Sequence, residues 1–133
     1  MLSSIHNDDT TLMIDTRYIY IGRTTSNKRL VKIGIATNPR KRWQQINRSI
    51  PGSTEYPVAY FRVLNAQKLE TALHRKYKLK QRRYKGSGAT EWFALGFFAR
   101  QWLYVIIAAH GILMILLIVA GVFSLLLTLI VLI

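Results

Sequence analysis

Two short apolar runs on either side of a polar segment dominate the first third of the chain. The runs are Tyr18 to Gly22 and Leu30 to Ala36, and the connecting segment from Arg23 to Arg29 is polar. This pattern is typical of a β-hairpin. Asn38-Pro39 follows, and Asn as an N-cap with Pro at the first helical position predicts that a helix begins here.

The pattern predicts three further elements in the first hundred residues. The helix after Pro39 is expected over 39–48 with Trp43 and Ile46 facing inward. A stretch rich in Tyr, Val and Phe predicts a third strand over 56–64. Apolar residues at three- and four-residue spacing predict a longer helix over 66–81. These elements indicate a small domain that mixes strands and helices.

The last part of the chain differs in kind. The 31 residues from Leu103 to Ile133 contain no Asp, Glu, Lys or Arg. A membrane span needs about 20 residues to cross a core about 30 Å thick, whereas 31 helical residues reach about 46 Å. We therefore expect one spanning helix that begins near Ile112, with the residues before it in the interface, or one tilted helix. Trp102 and Tyr104 are placed as interfacial anchors.

Charge is concentrated in the part that precedes this segment. The chain has 19 Lys and Arg against 6 Asp and Glu, a net charge of +13. Such an excess indicates a polyanionic partner, either nucleic acid or an acidic lipid surface. The positive-inside rule places the N-terminal domain in the cytoplasm, with the anchor as a single pass. The absence of cysteine excludes disulfides and thiolate zinc sites.

Four motifs in order resemble the GIY-YIG nuclease superfamily. They are Tyr-Ile-Tyr-Ile-Gly from Tyr18, Val-Lys-Ile-Gly-Ile-Ala-Thr-Asn-Pro-Arg-Lys-Arg from Val31, Lys-Leu-Glu-Thr-Ala-Leu-His from Lys68 and Glu-Trp-Phe from Glu91. The chain is most similar to the branch of phage and bacterial DNA-binding domains with Lys-Ile-Gly in place of Tyr-Ile-Gly. The resemblance implies an α+β fold, with a three-stranded antiparallel sheet flanked by helices, and covers about 17–95.

The resemblance also implies the residues of a site. Tyr20 matches the tyrosine of the first motif, and Tyr18 is the alternative on the same strand face if the alignment shifts by two. Lys32 stands at the position of the second motif's tyrosine. Arg42 matches the arginine of the family's helix.

Two further residues follow from the third motif. Glu70 matches the metal-binding glutamate, and His74 matches a histidine common in this branch, without an assigned role. One Mg²⁺ (or Mn²⁺) ion takes one or two carboxylates and keeps most of its waters, so Glu70 alone could hold it.

These residue types suit phosphodiester hydrolysis. Arg42 offers planar donors to a phosphate. Tyr20 could accept a proton from the attacking water if nearby positive charge, supplied by Lys32, lowers its pKa. Two departures favour loss of catalysis instead: a protonated Lys32 cannot be the base, and apolar Ile46 stands where many active members carry His or Tyr.

Basic residues around the motifs are the expected DNA contacts. They are Arg40, Lys41, Arg75, Lys76, Lys78, Lys80, Arg82, Arg83 and Lys85. Each duplex phosphate that such residues neutralise adds about −0.9 to the salt slope of binding.

The sequence thus predicts an N-terminal arm over 1–16, a domain over 17–95, a connector over 96–102 and a transmembrane segment over 103–133. It favours a membrane-tethered, metal-dependent DNA endonuclease. The alternatives are an inactive DNA-binding module at the membrane and a cationic protein that binds only anionic lipid. The sequence leaves the oligomeric state open.

Overall fold

The β-hairpin predicted from the two apolar runs is the centre of the computed structural model, which describes residues 15–49, 57–84 and 89–132. In chain order the elements are β1 (Tyr18–Arg23), β2 (Leu30–Ala36), α1 (Pro39–Ser49), β3 (Ala59–Arg62), α2 (Ala66–Lys76), a 3₁₀ helix (Lys78–Lys80), β4 (Gln81–Arg82), β5 (Trp92–Ala94) and α3 (Phe97–Leu132). The α+β prediction is confirmed.

The sheet is larger than the sequence predicts. It has five strands in the order β3-β1-β2-β5-β4, and every neighbouring pair is antiparallel. The expected three strands are β3, β1 and β2. The prediction of three was wrong because β5 and β4 are only three and two residues long, too short for a recognisable alternation.

Local signals set the boundaries of α1. The Asn38 side-chain oxygen accepts a hydrogen bond from the Lys41 backbone N–H at 3.0 Å, and Pro39 is the first helical residue, as the sequence predicts. The second helix ends earlier than predicted, because α2 stops at Lys76 and a 3₁₀ helix follows. The third strand is also shorter than 56–64, and the start of that range lies outside the described residues.

The N-terminus of α2 is capped by a residue distant in sequence. The preceding Asn65 has a left-handed backbone (φ 53) and makes no side-chain cap bond. Instead a carboxylate oxygen of Asp15 accepts the Gln67 backbone N–H at 3.0 Å. The same carboxylate forms a salt bridge of 2.9 Å with Arg17. Residues just before β1 therefore stabilise the start of α2.

The two faces of the sheet build two separate cores. Helix α1 covers the first face, and its core contains Tyr20, Leu30, Trp43, Ile46 and Trp92. Helices α2 and α3 cover the second face, and its core includes Ile19, Ile21, Val31, Ile33, Leu69, Leu73, Phe93, Leu103 and Ile107. The alternation along β1 and β2 divides the side chains between these cores.

The long apolar helix has two distinct halves. It begins at Phe97, inside the stretch where the sequence predicts a connector, and Leu103, Ile107, Gly111 and Met114 are buried. From Ile115 to Leu132 every residue is exposed. These 18 residues span about 27 Å, close to the thickness of a bilayer core of about 30 Å. By length and composition α3 is able to cross a membrane, with a mean hydropathy of 3.1 in its most apolar window.

Candidate functional site

Tyr20 lies at the centre of the first face of the sheet. Its register partner on β2 is Gly34, and a Cβ atom at Gly34 would lie 2.6 Å from the Tyr20 hydroxyl. Only glycine leaves room for the tyrosine ring there. The ring also meets Trp43 edge-on, with centroids 6.1 Å apart, and Tyr20 is only 1% exposed. The hairpin and α1 therefore fix Tyr20 firmly.

Arg42 of α1 forms a side-chain hydrogen bond with Tyr20, which lowers the pKa of the tyrosine. Burial outweighs this effect, and the negative charges of Glu91 and Glu70 oppose it further. The result is that the pKa of Tyr20 is raised to about 12. The condition for a tyrosine base, a pKa lowered by nearby positive charge, is therefore not met, because the lowering effect of Arg42 is smaller than the effect of burial. At neutral pH Tyr20 is a phenol, with Arg42 bonded to it.

Lys32 forms a buried ion pair. The residue is 0% exposed, and its Nζ lies 2.6 Å from a carboxylate oxygen of Glu91. Its ammonium also lies 5.5 Å from the ring centroid of Trp92, its register partner on β5. Burial lowers the pKa of Lys32, and the bond to Glu91 opposes that shift. Lys32 is thus enclosed and directed at a carboxylate.

Glu91 is the site residue that the sequence analysis missed. Its side chain is 32% exposed, and its charge raises the pKa of both Tyr20 and Glu70. One signal could have found it. Lys32 sits inside an apolar strand and needs a carboxylate partner, and the chain has only six acidic residues. The motif Glu-Trp-Phe alone gave no reason to choose Glu91.

Glu70 belongs to the same electrostatic environment. Burial raises the pKa of its carboxyl, Glu91 adds to that rise, and the charges of His74 and Arg17 oppose it. The amide of Gln67 donates to a Glu70 oxygen at 3.2 Å, and its carbonyl accepts a bond from Arg17 at 3.2 Å. The Gln67 side chain therefore links Arg17, just before β1, to Glu70, the predicted metal ligand.

His74 has a structural contact that the sequence did not indicate. Its Nε2 lies 3.0 Å from the backbone oxygen of Ile33, and since a carbonyl only accepts, Nε2 is the donor. Its ring is 5.0 Å from that of Phe93. His74 joins α2 to β2 and β5, and its charge bears on Glu70.

Tyr18 and Ile46, the two remaining residues of the sequence analysis, both make packing contacts. Tyr18 shares the strand face of Tyr20 but contacts Tyr60 (5.9 Å) and Arg62 (6.0 Å) at the β3 edge. Ile46 is fully buried in the α1 core. The apolar group at this position therefore packs against the sheet.

The predicted DNA contacts fall on two surfaces. Arg40 and Lys41 are exposed in the first turn of α1. A second group lies at the end of α2, on the 3₁₀ helix and on or beside β4, and all of its members are exposed: Arg75, Lys76, Lys78, Lys80, Arg82 and Arg83. We call this second group the β4 basic edge. Lys85 lies outside the described residues.

The donor set for a metal is small. Among the described residues, no group of three or more His, Cys, Asp or Glu side chains could enclose an ion. Burial raises the pKa of Glu70, and the charge of Glu91 adds to that rise although His74 and Arg17 oppose it. These residues fit a hydrated Mg²⁺ held by one or two carboxylates.

Comparison with known proteins identifies the domain. A family model described as the T5orf172 domain matches residues 17–108, a range that includes β1 to β5 and the docked first turns of α3. Neither the curated proteins nor the solved structures contain a match. The T5orf172 domain is a phage-associated, nuclease-like domain, and its presence is consistent with DNA binding. The chain belongs to the T5orf172 domain family.

Proposed function

We propose that the protein is a membrane-anchored DNA-binding protein of the GIY-YIG type that hydrolyses phosphodiester bonds with a divalent ion. One observation carries the proposal: Arg42 bonds Tyr20, and the charges of Glu70 and Glu91 act on the same tyrosine. In a T5orf172 domain, a cation that can bind phosphate (Arg42) thus acts on the same tyrosine as two carboxylates (Glu70 and Glu91).

Exposure divides the catalytic roles differently from the sequence prediction. Arg42 and Glu70 are partly exposed, whereas Tyr20 and Lys32 are enclosed. We therefore assign Arg42 to the phosphoryl oxygens, where its donors stabilise charge that develops in the transition state. Tyr20 is a positioning residue that orients Arg42. Lys32 orients Glu91.

Glu70 is the proposed ligand of one Mg²⁺ (or Mn²⁺) ion, with Glu91 as the second nearby carboxylate. When bound, such an ion supplies Lewis-acid stabilisation of the phosphate and lowers the pKa of a coordinated water. The high pKa of Tyr20 makes a tyrosine base unsuitable at neutral pH. In the balanced reaction a water oxygen bonds to phosphorus, the bond to the leaving oxygen breaks, and that oxygen receives a proton.

The anchor is the exposed half of α3, from Ile115 to Leu132. Its length matches the thickness of a bilayer core, and Met114 is the last residue of α3 that the domain buries. The excess of positive charge on the domain side supports a cytoplasmic domain under the positive-inside rule. There it meets DNA.

A nicking assay on the full chain in detergent micelles tests this proposal. Wild-type protein should nick supercoiled plasmid with Mg²⁺ but not with chelator. Arg42→Ala and Glu70→Gln should each lower the rate at least about 100-fold, as expected when transition-state stabilisation is removed. Arg48→Ala is the matched control, since Arg48 is an exposed arginine of the same helix, and it should nick normally.

The alternatives give different results in the same preparation. Salt-dependent DNA binding without nicking by the wild type would identify an inactive DNA-binding module. Binding to anionic vesicles without DNA binding would identify the lipid-binding alternative. Full activity in Arg42→Ala and Glu70→Gln would show that the site lies elsewhere.

A further inference from the structure

The route of α3 across the domain fixes where the anchor leaves it. At the start of α3, the Arg100 guanidinium donates to the Lys28 backbone oxygen in the hairpin connection at 2.5 Å. Leu103 and Ile107 then lie in the core beneath the sheet. At Gly111 the helix backbone meets β3 so closely that a Cβ would lie 3.3 Å from the Phe61 ring. The helix therefore crosses the second face and reaches β3.

Nothing in the sequence of α3 bends it after this point. The helix is continuous to Leu132 and contains no proline, the commonest cause of a sharp kink. Burial ends at Met114, three residues beyond Gly111. Since β3 is the edge strand of the sheet, the exposed half of α3 projects from the β3 edge.

The strand order places the β4 basic edge on the opposite side. Four strand spacings separate β3 from β4, and at about 4.8 Å each the two edges are about 19 Å apart. The group from Arg75 to Arg83 lies at the edge remote from the anchor.

The β3 edge carries residues suited to a lipid headgroup layer. Val58 and Tyr60 are 41% and 39% exposed. The exposed Arg62 lies over the Tyr18 ring, which in turn meets the Tyr60 ring. Tyrosine is enriched at membrane interfaces, and arginine beside it complements anionic headgroups. These side chains project on the side of the sheet that α1 covers, opposite to α3, and they share with α3 only the β3 edge from which its exposed half projects.

We infer that the β3 edge rests on the anionic headgroup layer of the bilayer, with Tyr60 and Arg62 at the phosphate level and the β4 basic edge directed away from the membrane. The inference rests on the proposed anchor. It specifies what the anchor alone does not: a fixed orientation of the domain, in which DNA meets the β4 basic edge and lipid meets β3.

Single-cysteine labelling of the full chain tests this orientation, because the chain has no native cysteine. Variants Tyr60→Cys and Leu79→Cys each carry a fluorophore at an exposed site, Leu79 being 92% exposed beside the β4 basic edge. Leu126→Cys reports on the anchor. The labelled proteins are reconstituted into phosphatidylcholine–phosphatidylglycerol vesicles that contain a spin label on the headgroup or on the acyl chain.

We expect the headgroup spin label to quench the probe at position 60 several times more strongly than the probe at position 79. The acyl-chain spin label should quench position 126. If position 126 is quenched but positions 60 and 79 respond equally, the anchor stands and the orientation is wrong. If position 126 is not quenched, the anchor itself fails. If the Tyr60→Cys variant does not fold, Val58→Cys takes its place, and headgroup quenching at position 58 is compared with quenching at position 79.

Discussion

The Lys32–Glu91 pair gives an asymmetric prediction for stability. Lys32 is fully buried, whereas the Glu91 side chain is one-third exposed. Glu91→Gln leaves an ammonium group enclosed without its counter-charge, and breaking a buried pair in this way costs about 3–5 kcal/mol. Because the Glu91 side is partly solvated, we expect the lower limit, about 3 kcal/mol.

Lys32→Met should cost much less, because the remaining carboxylate reaches water and a methionine packs in the space that the lysine stem occupies. We expect about 1 kcal/mol or less. The double variant Lys32→Met/Glu91→Gln should be close to the single Lys32→Met. Denaturant unfolding of the full chain in detergent micelles, followed by tryptophan fluorescence, measures all three free energies. Trp92, beside Lys32, is a suitable reporter.

The pH dependence separates charge from simple loss of contact. Burial lowers the pKa of Lys32 in the folded state, so between that pKa and the unfolded value the unfolded chain binds more protons. Stability therefore rises with pH in this window. Loss of Glu91 removes a group that opposes the shift, so the deficit of Glu91→Gln should shrink as the pH rises toward the unfolded pKa of lysine, about 10.4. A deficit that stays constant with pH, or a Lys32→Met variant as unstable as Glu91→Gln, would refute this reasoning.

Four other predictions use the same unfolding and nicking assays. Gly34→Ala should displace Tyr20 and destabilise the domain by about 1–3 kcal/mol through overpacking, with loss of nicking; unchanged unfolding would contradict the fit of Tyr20 over Gly34. Asp15→Ala should cost about 1 kcal/mol by uncapping α2. Because Arg17 holds the pKa of Asp15 well below its usual range, this difference should be present at neutral pH, begin to decline below the unfolded pKa of the carboxyl and be lost only as the pH falls through the folded pKa. Glu70→Gln should raise the unfolding midpoint at neutral pH, because the raised pKa of this carboxyl shows that its ionised form is disfavoured in the folded state; that gain should vanish below pH about 4. A chain that ends before Leu103 should fail to fold, as judged by loss of cooperative unfolding.

The elements predicted correctly are those with signals close together in sequence. The β1–β2 hairpin needs only two apolar runs and a polar turn, and the start of α1 needs only Asn38 and Pro39. Both are specified within a few residues. The left-handed backbone at Asn65 and the early end of α2 had no comparable signal.

The unpredicted parts depend on contacts between distant residues. Lys32 and Glu91 are 59 positions apart, and Asp15 caps α2 from 52 positions away. Strand β5 exists because β2 offers a free edge for Trp92 to pair with Lys32. Motif resemblance supplied Tyr20, Arg42 and Glu70, but the burial that raises the pKa of Tyr20 follows only from the packing of α1 on the sheet.

The anchor and the site are parts of one structure because α3 serves both. Its first half contributes Leu103 and Ile107, both fully buried, to the core that also contains Ile33 and Phe93. His74 of α2 contacts these same two sheet residues, one turn from Glu70. The apolar length that is excessive for a single upright span is explained by this division, since half of α3 packs on the domain and the exposed half is about as long as a bilayer core is thick. Under the proposed anchoring, membrane attachment would constrain the orientation of the domain, and removing the whole helix would remove part of the core that supports the candidate active site.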